Sequence, residues 1–288
     1  VAERLGIGPA ECRERNSRIV YGRMTGWGQY GPLSGRAGHD INYLALSGAL
    51  HPIGRAGEPP VPPLNLVGDF GGGGMLLALG LVAALFEARQ SGLGQVIDAA
   101  MIDGSALLTT MIRGMRASGL WNDERGSNLL DTGAPFYEVY ETSDGGFMAV
   151  GAIEPRSYAE FLELVGLDED PAVQFDTQKW PELKRRIAAR FVARPRSDWE
   201  ERFAGSDACV FPVLNMGEAP DHPHHLARGT FVEIDGVAQA GPGPRFDRTV
   251  GEISGPPPGV GQHTGEILES LGFSPAQRTS LREMGAVR

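Results

Sequence analysis

Three side chains able to carry protons stand where the chain changes character. His39 lies in Gly-Arg-Ala-Gly-His-Asp (35–40), Asp69 in Leu-Val-Gly-Asp-Phe (66–70) ahead of four more glycines, and Glu154 in Ala-Ile-Glu-Pro (152–155). Imidazole and carboxyl groups are the usual carriers in general acid–base catalysis. Each has a structural alternative. Asp69 can cap the apolar helix that follows it, because aspartate is a favoured cap and its charge suits a helix N-terminus. The same place can serve a ligand: Gly68 and the glycine run allow close backbone approach, and free N–H groups there can bind an oxyanion. The run is not a phosphate loop, since no Gly-Lys-Ser/Thr follows it. His39 opens a helix, where a structural role competes with a catalytic one. Asp40 beside it faces another way on that helix, so adjacency alone makes no dyad. Glu154 precedes Pro155, a favoured first helical residue, and could be a cap or a solvated charge. His222, His224 and His225 lack spaced partners, so no metal site is expected.

The elements that must position these groups read from periodicity and turn signals. Pro9 to Arg15 predicts a helix, Arg18 to Met24 a strand, and His39 to Leu50 a helix. Gly54 to Pro63 predicts an irregular crossing. An extended segment then turns at Gly68-Asp69 into an apolar helix ending near Arg89. A strand at Gln95 to Asp98 leads to one long helix ending near Ser118. This alternation argues α/β with parallel pairing. From 133 the pattern becomes α+β. A hairpin turns at Ser143 to Gly146, helices follow at Pro155 to Val165, Pro181 to Arg194 and Ser197 to Phe203, and a strand lies at 209 to 214. A short helix at Gly265 to Leu271 closes the reading. The expected division is a large α/β domain over 1–100, a connecting helix and linker over 101–132, a small α+β domain over 133–235, and a return to the large domain over 236–288.

Bulk properties bound the function. The 288 residues carry a formal net charge of −10, against a nucleic-acid or anionic-membrane partner. Cys12 and Cys209 fit reduced thiols better than a disulfide and suit a cytoplasmic protein. No stretch is expected to reach the length of a membrane span. Met75 to Ala88, interrupted by Gly80, reads as a buried core helix. The chain opens inside what reads as a helix, without a methionine, and is expected to be a fragment of a longer protein.

Taken together, residues 3–50, 66–104 and 133–155, with 207–236 and 242–249, resemble the family III CoA-transferase superfamily, and within it the branch that racemises 2-methylacyl-CoA thioesters. The resemblance implies a Rossmann-like large domain, here lacking its N-terminal portion, a small domain, and two interlocked chains sharing active sites in a homodimer. It implies His39 assisted by Asp69 as one base and Glu154, from the other chain, as the second. It also implies Arg4, Gly38, Tyr43 and Gly68 in substrate and CoA binding, with Arg4 near a CoA phosphate. The acyl-CoA thioester is then the substrate, and no metal or other cofactor is implied. In CoA transferases of the same family the residue matching Asp69 is a nucleophile that forms an acyl anhydride. The position matching His39 is typically not histidine there.

Proton transfer at the α-carbon of a thioester requires that the resulting enolate be stabilised, and N–H groups at Gly68-Asp69 are expected to do this. A carboxyl group acting as the acid is expected to be buried at a domain interface. Two alternatives stay open: CoA transfer through nucleophilic Asp69, and a non-catalytic remnant.

Overall fold

The computed structural model describes residues 1–287. One compact unit covers Val1–Val213, and a second begins at Leu214. In the first unit, helix α1 (Pro9–Arg15) starts with proline after Gly8. Strands β1 (Tyr21–Thr25) and β2 (Val96–Ala100) pair in parallel, from Tyr21 opposite Val96 to Thr25 opposite Ala100. Parallel pairing requires a long crossover. It carries helix α2 (Asp40–Ser47), a π-helix (Leu66–Met75) and helix α3 (Leu76–Ser91). Helix α3 packs back on the strands so closely that a Cβ on Gly22 would lie 2.9 Å from Leu77.

Two expectations for this crossover are corrected. The extended segment and turn at Gly68-Asp69 are instead part of the π-helix, in which Phe70 N–H donates to the Asn65 carbonyl five residues back. The glycines explain the difference. A Cβ on Gly104 would stand 1.9 Å from the Gly72 carbonyl, so backbone meets backbone where helix α4 (Met101–Leu108) crosses. Second, the π-helix and α3 run on as one 26-residue helix, Leu66–Ser91, long and apolar enough to cross a membrane by length and composition alone. Nor is it a buried core helix. Ala84 and Ala88 are buried, but Leu79, Val82, Leu85 and Phe86 are exposed, because two strands cover only one face of a helix apolar all round.

The long helix expected after β2 is also divided, into α4 and α5 (Thr110–Ala117). At the break, Thr109 Oγ1 donates to the Ala106 carbonyl at 2.7 Å and accepts from Arg113 Nε at 2.9 Å. A hydroxyl that bonds backward in this way competes with the helical ladder.

Beyond residue 133 the hairpin forms as expected: β3 (Tyr137–Glu141) pairs antiparallel with β4 (Phe147–Gly151), and β5 (Val210–Pro212) joins the other side of β4. Alternation turns Glu138, Tyr140, Met148 and Val150 inward. Helices α6 (Pro155–Val165), α7 (Trp180–Phe191) and α8 (Arg196–Phe203) supply the other side of the core. Phe161, Phe191 and Phe203 stack mutually, and the Tyr140 ring lies 5.2 Å from that of Phe191. The second unit contains α9 (Pro223–Arg228), the hairpin β6 (Phe231–Ile234) and β7 (Val237–Ala240), α10 (Thr264–Ser270) and α11 (Pro275–Glu283).

Candidate active site

Helix α2 begins at Asp40, with His39 as its extended cap residue at φ −135° and ψ 172°. The start is closed through the backbone: His39 N–H donates to Asn42 Oδ1 at 3.1 Å, and its carbonyl accepts from Asn42 N–H at 2.8 Å. One turn on, the Tyr43 hydroxyl donates to the Gly38 carbonyl, and its ring meets Trp27 edge-on at 4.8 Å. A side chain at Gly38 would collide with both rings, since a Cβ there would stand 2.8 Å from each. The His39 loop is therefore tied to its own helix.

Asp69 comes from the first turn of the π-helix. His39, Asp69, Gly38 and Tyr43 line one cavity of about 350 Å³, together with Asn65 and Phe70. Gly74 is the one member of the glycine run on its wall, and Met24 and Met101 complete it. Burial first, and then the negative charge of Asp69, hold the Tyr43 phenol above its ordinary pKa, keeping it a hydrogen-bond donor. His39 is exposed at the cavity mouth, whereas Asp69 is half-buried.

The oxyanion donors expected at Gly68 and Asp69 are already engaged. Both N–H groups donate to Asp40 Oδ2, at 2.6 and 2.8 Å. Gly68 lies buried behind the cavity wall, not on it. Among the described residues, the N–H groups of Asp40 and Ile41 in the first turn of α2 have no protein partner. Orphan donors of this kind are what a helix N-terminus offers to a developing negative charge.

Besides Gly68, two more of the expected residues lie outside this cavity. Arg4 is exposed in the short turn Glu3–Leu5. Glu154 caps α6 with φ −72° and ψ 140°, and its carbonyl accepts from Tyr158 N–H at 2.9 Å. Its burial at an interface is not seen within this chain, where Glu154 is exposed. Residues not anticipated are Asn65, Phe70, Met24 and Met101. The last two had a readable signal: they sit at the C-terminal ends of the parallel strands, where open α/β sheets build their sites.

Among the described residues no group of three or more His, Cys, Asp or Glu side chains is arranged to hold a metal ion. His222 Nδ1 instead accepts from His224 N–H at the start of α9. Cys12 and Cys209 are both free.

Comparison with known proteins adds family and fold. The family model described as CoA-transferase family III matches residues 1–264. An alpha-methylacyl-CoA racemase of Mus musculus is 48% identical over 95% of this chain and 73% of its own length. The Homo sapiens protein of the same name is 45% identical over 95% of this chain and 72% of its own. A CAIB/BAIF family protein from Brucella suis superimposes with a TM-score of 0.78 at 21% identity, over 94% of this chain and 72% of the other.

Proposed function

The chain belongs to CoA-transferase family III, and from that premise we propose that it is a racemase that interconverts (R)- and (S)-2-methylacyl-CoA thioesters. The identity to two α-methylacyl-CoA racemases supports this reading over CoA transfer. One structural observation carries it: an imidazole, His39, shares a cavity with the carboxylate Asp69. Anhydride formation needs a carboxylate alone, whereas enolisation needs a proton carrier.

In one direction His39, with Asp69 beside it, takes the proton from C2 of the thioester, and the C2–H electron pair moves into the thioester to give an enolate. The first-turn amides of α2 hold the enolate oxygen. A carboxylic acid on the opposite face returns a proton to C2, completing inversion. The roles exchange in the reverse direction, so protons balance over the cycle. The steps use only side chains, backbone and the CoA thioester.

Glu154 is the proposed second acid. It does not line this chain's cavity, which favours a homodimer in which the partner subunit's Glu154 completes the site. The exposed apolar face of α3 favours burial against another surface in the same way. Branched fatty acyl, bile-acid-like and other bulky 2-methylacyl groups all fit the reading, and fatty acid metabolism is the proposed setting.

The test is to incubate the chain with one epimer of a 2-methylacyl-CoA, with and without a free carboxylic acid. Appearance of the other epimer without the acid is expected. CoA transfer to the acid, without epimerisation, contradicts the reading and favours nucleophilic Asp69.

A further inference from the structure

The carboxylate of Asp40 sits between the two segments that carry His39 and Asp69. Its side chain leaves the first turn of α2 and enters the first turn of the π-helix, where Oδ2 accepts from Gly68 N–H at 2.6 Å and Asp69 N–H at 2.8 Å. The π-helix makes no side-chain cap of its own, because Asn65 at its start gives none. Asp40 therefore caps this helix from outside, 28 residues away from Gly68. The fit leaves no slack: a Cβ on Gly68 would lie 2.7 Å from Oδ2.

As a stabilising device the arrangement is wasteful. Asp40 is 4% exposed, and its other oxygen, Oδ1, is buried without a hydrogen-bond partner. An unsatisfied buried oxygen costs stability that a cap with a single oxygen, such as serine, would not incur. What the carboxylate supplies is geometry. It is rigidly next to His39 in the chain, and it grips the backbone of Asp69 itself.

We propose that Asp40 is a positioning residue whose carboxylate clamps the π-helix to α2 and so sets the separation of His39 from Asp69. This rests on the racemase reading given above. The Asp40 carboxylate neither carries the proton nor meets the substrate, and its role requires an acceptor at Oδ2. Displacement of a reacting group by about 1 Å lowers the rate by about 100-fold.

The experiment compares wild type, Asp40→Ala, Asp40→Asn and Gly68→Ala for deuterium incorporation at C2 of a 2-methylacyl-CoA. Protection of the amides of residues 68 and 69 against hydrogen exchange is read alongside. Asp40→Ala is expected to lose about 10- to 100-fold in kcat with KM unchanged and with both amides unprotected. Gly68→Ala, which leaves Asp40 in place and intrudes on Oδ2, is expected to behave the same way, and it decides the matter if Asp40→Ala does not fold. Asp40→Asn keeps an oxygen acceptor and is expected to retain most of the activity and protection. Equal inactivity of the Asn and Ala variants overturns the proposal, because Asp40 then acts through charge or a proton. Wild-type kcat in Asp40→Ala also overturns it. If wild type itself shows no exchange, the racemase reading fails separately, and protected amides in Asp40→Ala overturn the clamp.

Discussion

The backbone nitrogen of Asp69 lies 2.8 Å from Oδ2 of Asp40, so the aspartate next to His39 holds the segment that brings the second carboxylate to the cavity. The histidine and its two aspartates thus have separate tasks. His39 and Asp69 face the cavity, and Asp40 fixes the wall behind it. The same bonds take the Gly68 and Asp69 amides out of the oxyanion role, which in the proposed mechanism falls to the first turn of α2.

His39→Gln removes the base while keeping a side chain of similar length. It is expected to lower kcat for epimerisation by about 10²- to 10⁴-fold, the usual contribution of a positioned proton carrier. KM for the CoA thioester is expected to stay near wild type. Steady-state kinetics with a single epimer check this.

The proposed sharing of the site between subunits has a direct consequence. His39→Gln and Glu154→Gln are each expected to be inactive. After mixing and subunit exchange, random pairing into two-fold dimers restores about one quarter of wild-type activity. No recovery in a sample shown to contain mixed dimers contradicts the shared site.

Three tyrosines tie stability to alkaline pH. Burial is the leading cause holding Tyr43 above its ordinary pKa, pushing Tyr158 up to about 12 and raising Tyr140 further. A phenol whose folded pKa is raised contributes fully below the unfolded value, about 10. That contribution is lost as pH rises toward the folded value. Thermal stability is expected to fall above about pH 10, and Tyr140→Phe is expected to flatten the fall. Tyr158→Phe removes a buried hydroxyl with no partner, and at neutral pH it is expected to be neutral or stabilising. Scanning calorimetry at several pH values measures all of this.

Glu138 offers a contrast in ion pairing. Its side chain is 1% exposed and meets Arg55 at 2.9 Å and Lys184 at 2.5 Å, whose side chains are 49% and 30% exposed. Removing both cations strands a buried carboxylate, so Arg55→Met with Lys184→Met is expected to cost about 3–5 kcal/mol. Glu138→Gln leaves cations that can turn to solvent and is expected to cost less. Denaturant unfolding of the variants ranks them.

Much of this was legible because local chemistry decided it. Pro155 after Glu154 fixed the start of α6, and Asp144-Gly145 fixed the hairpin between β3 and β4. The Asp235-Gly236 turn between β6 and β7 carries the same kind of signal, with φ 51° and 78°, but the alternation around it was not read as a hairpin. Long-range facts were hidden. Nothing near Asp40 indicates that its carboxylate reaches Gly68, and nothing in the glycine run indicates that Gly72 serves contact with Gly104 rather than with a ligand. Helix α3 misled because apolar composition reports that a face is covered, not by which molecule.

The central claim is proton exchange at C2 through His39. Its most direct test follows one epimer of a 2-methylacyl-CoA by proton NMR in deuterated water, with no acceptor acid, using wild type and His39→Gln. Wild type is predicted to replace the C2 proton with deuterium while both epimers accumulate, and His39→Gln is predicted to do neither at a comparable rate. A wild-type chain that leaves the C2 proton in place while an acyl group becomes attached to Asp69 contradicts the account.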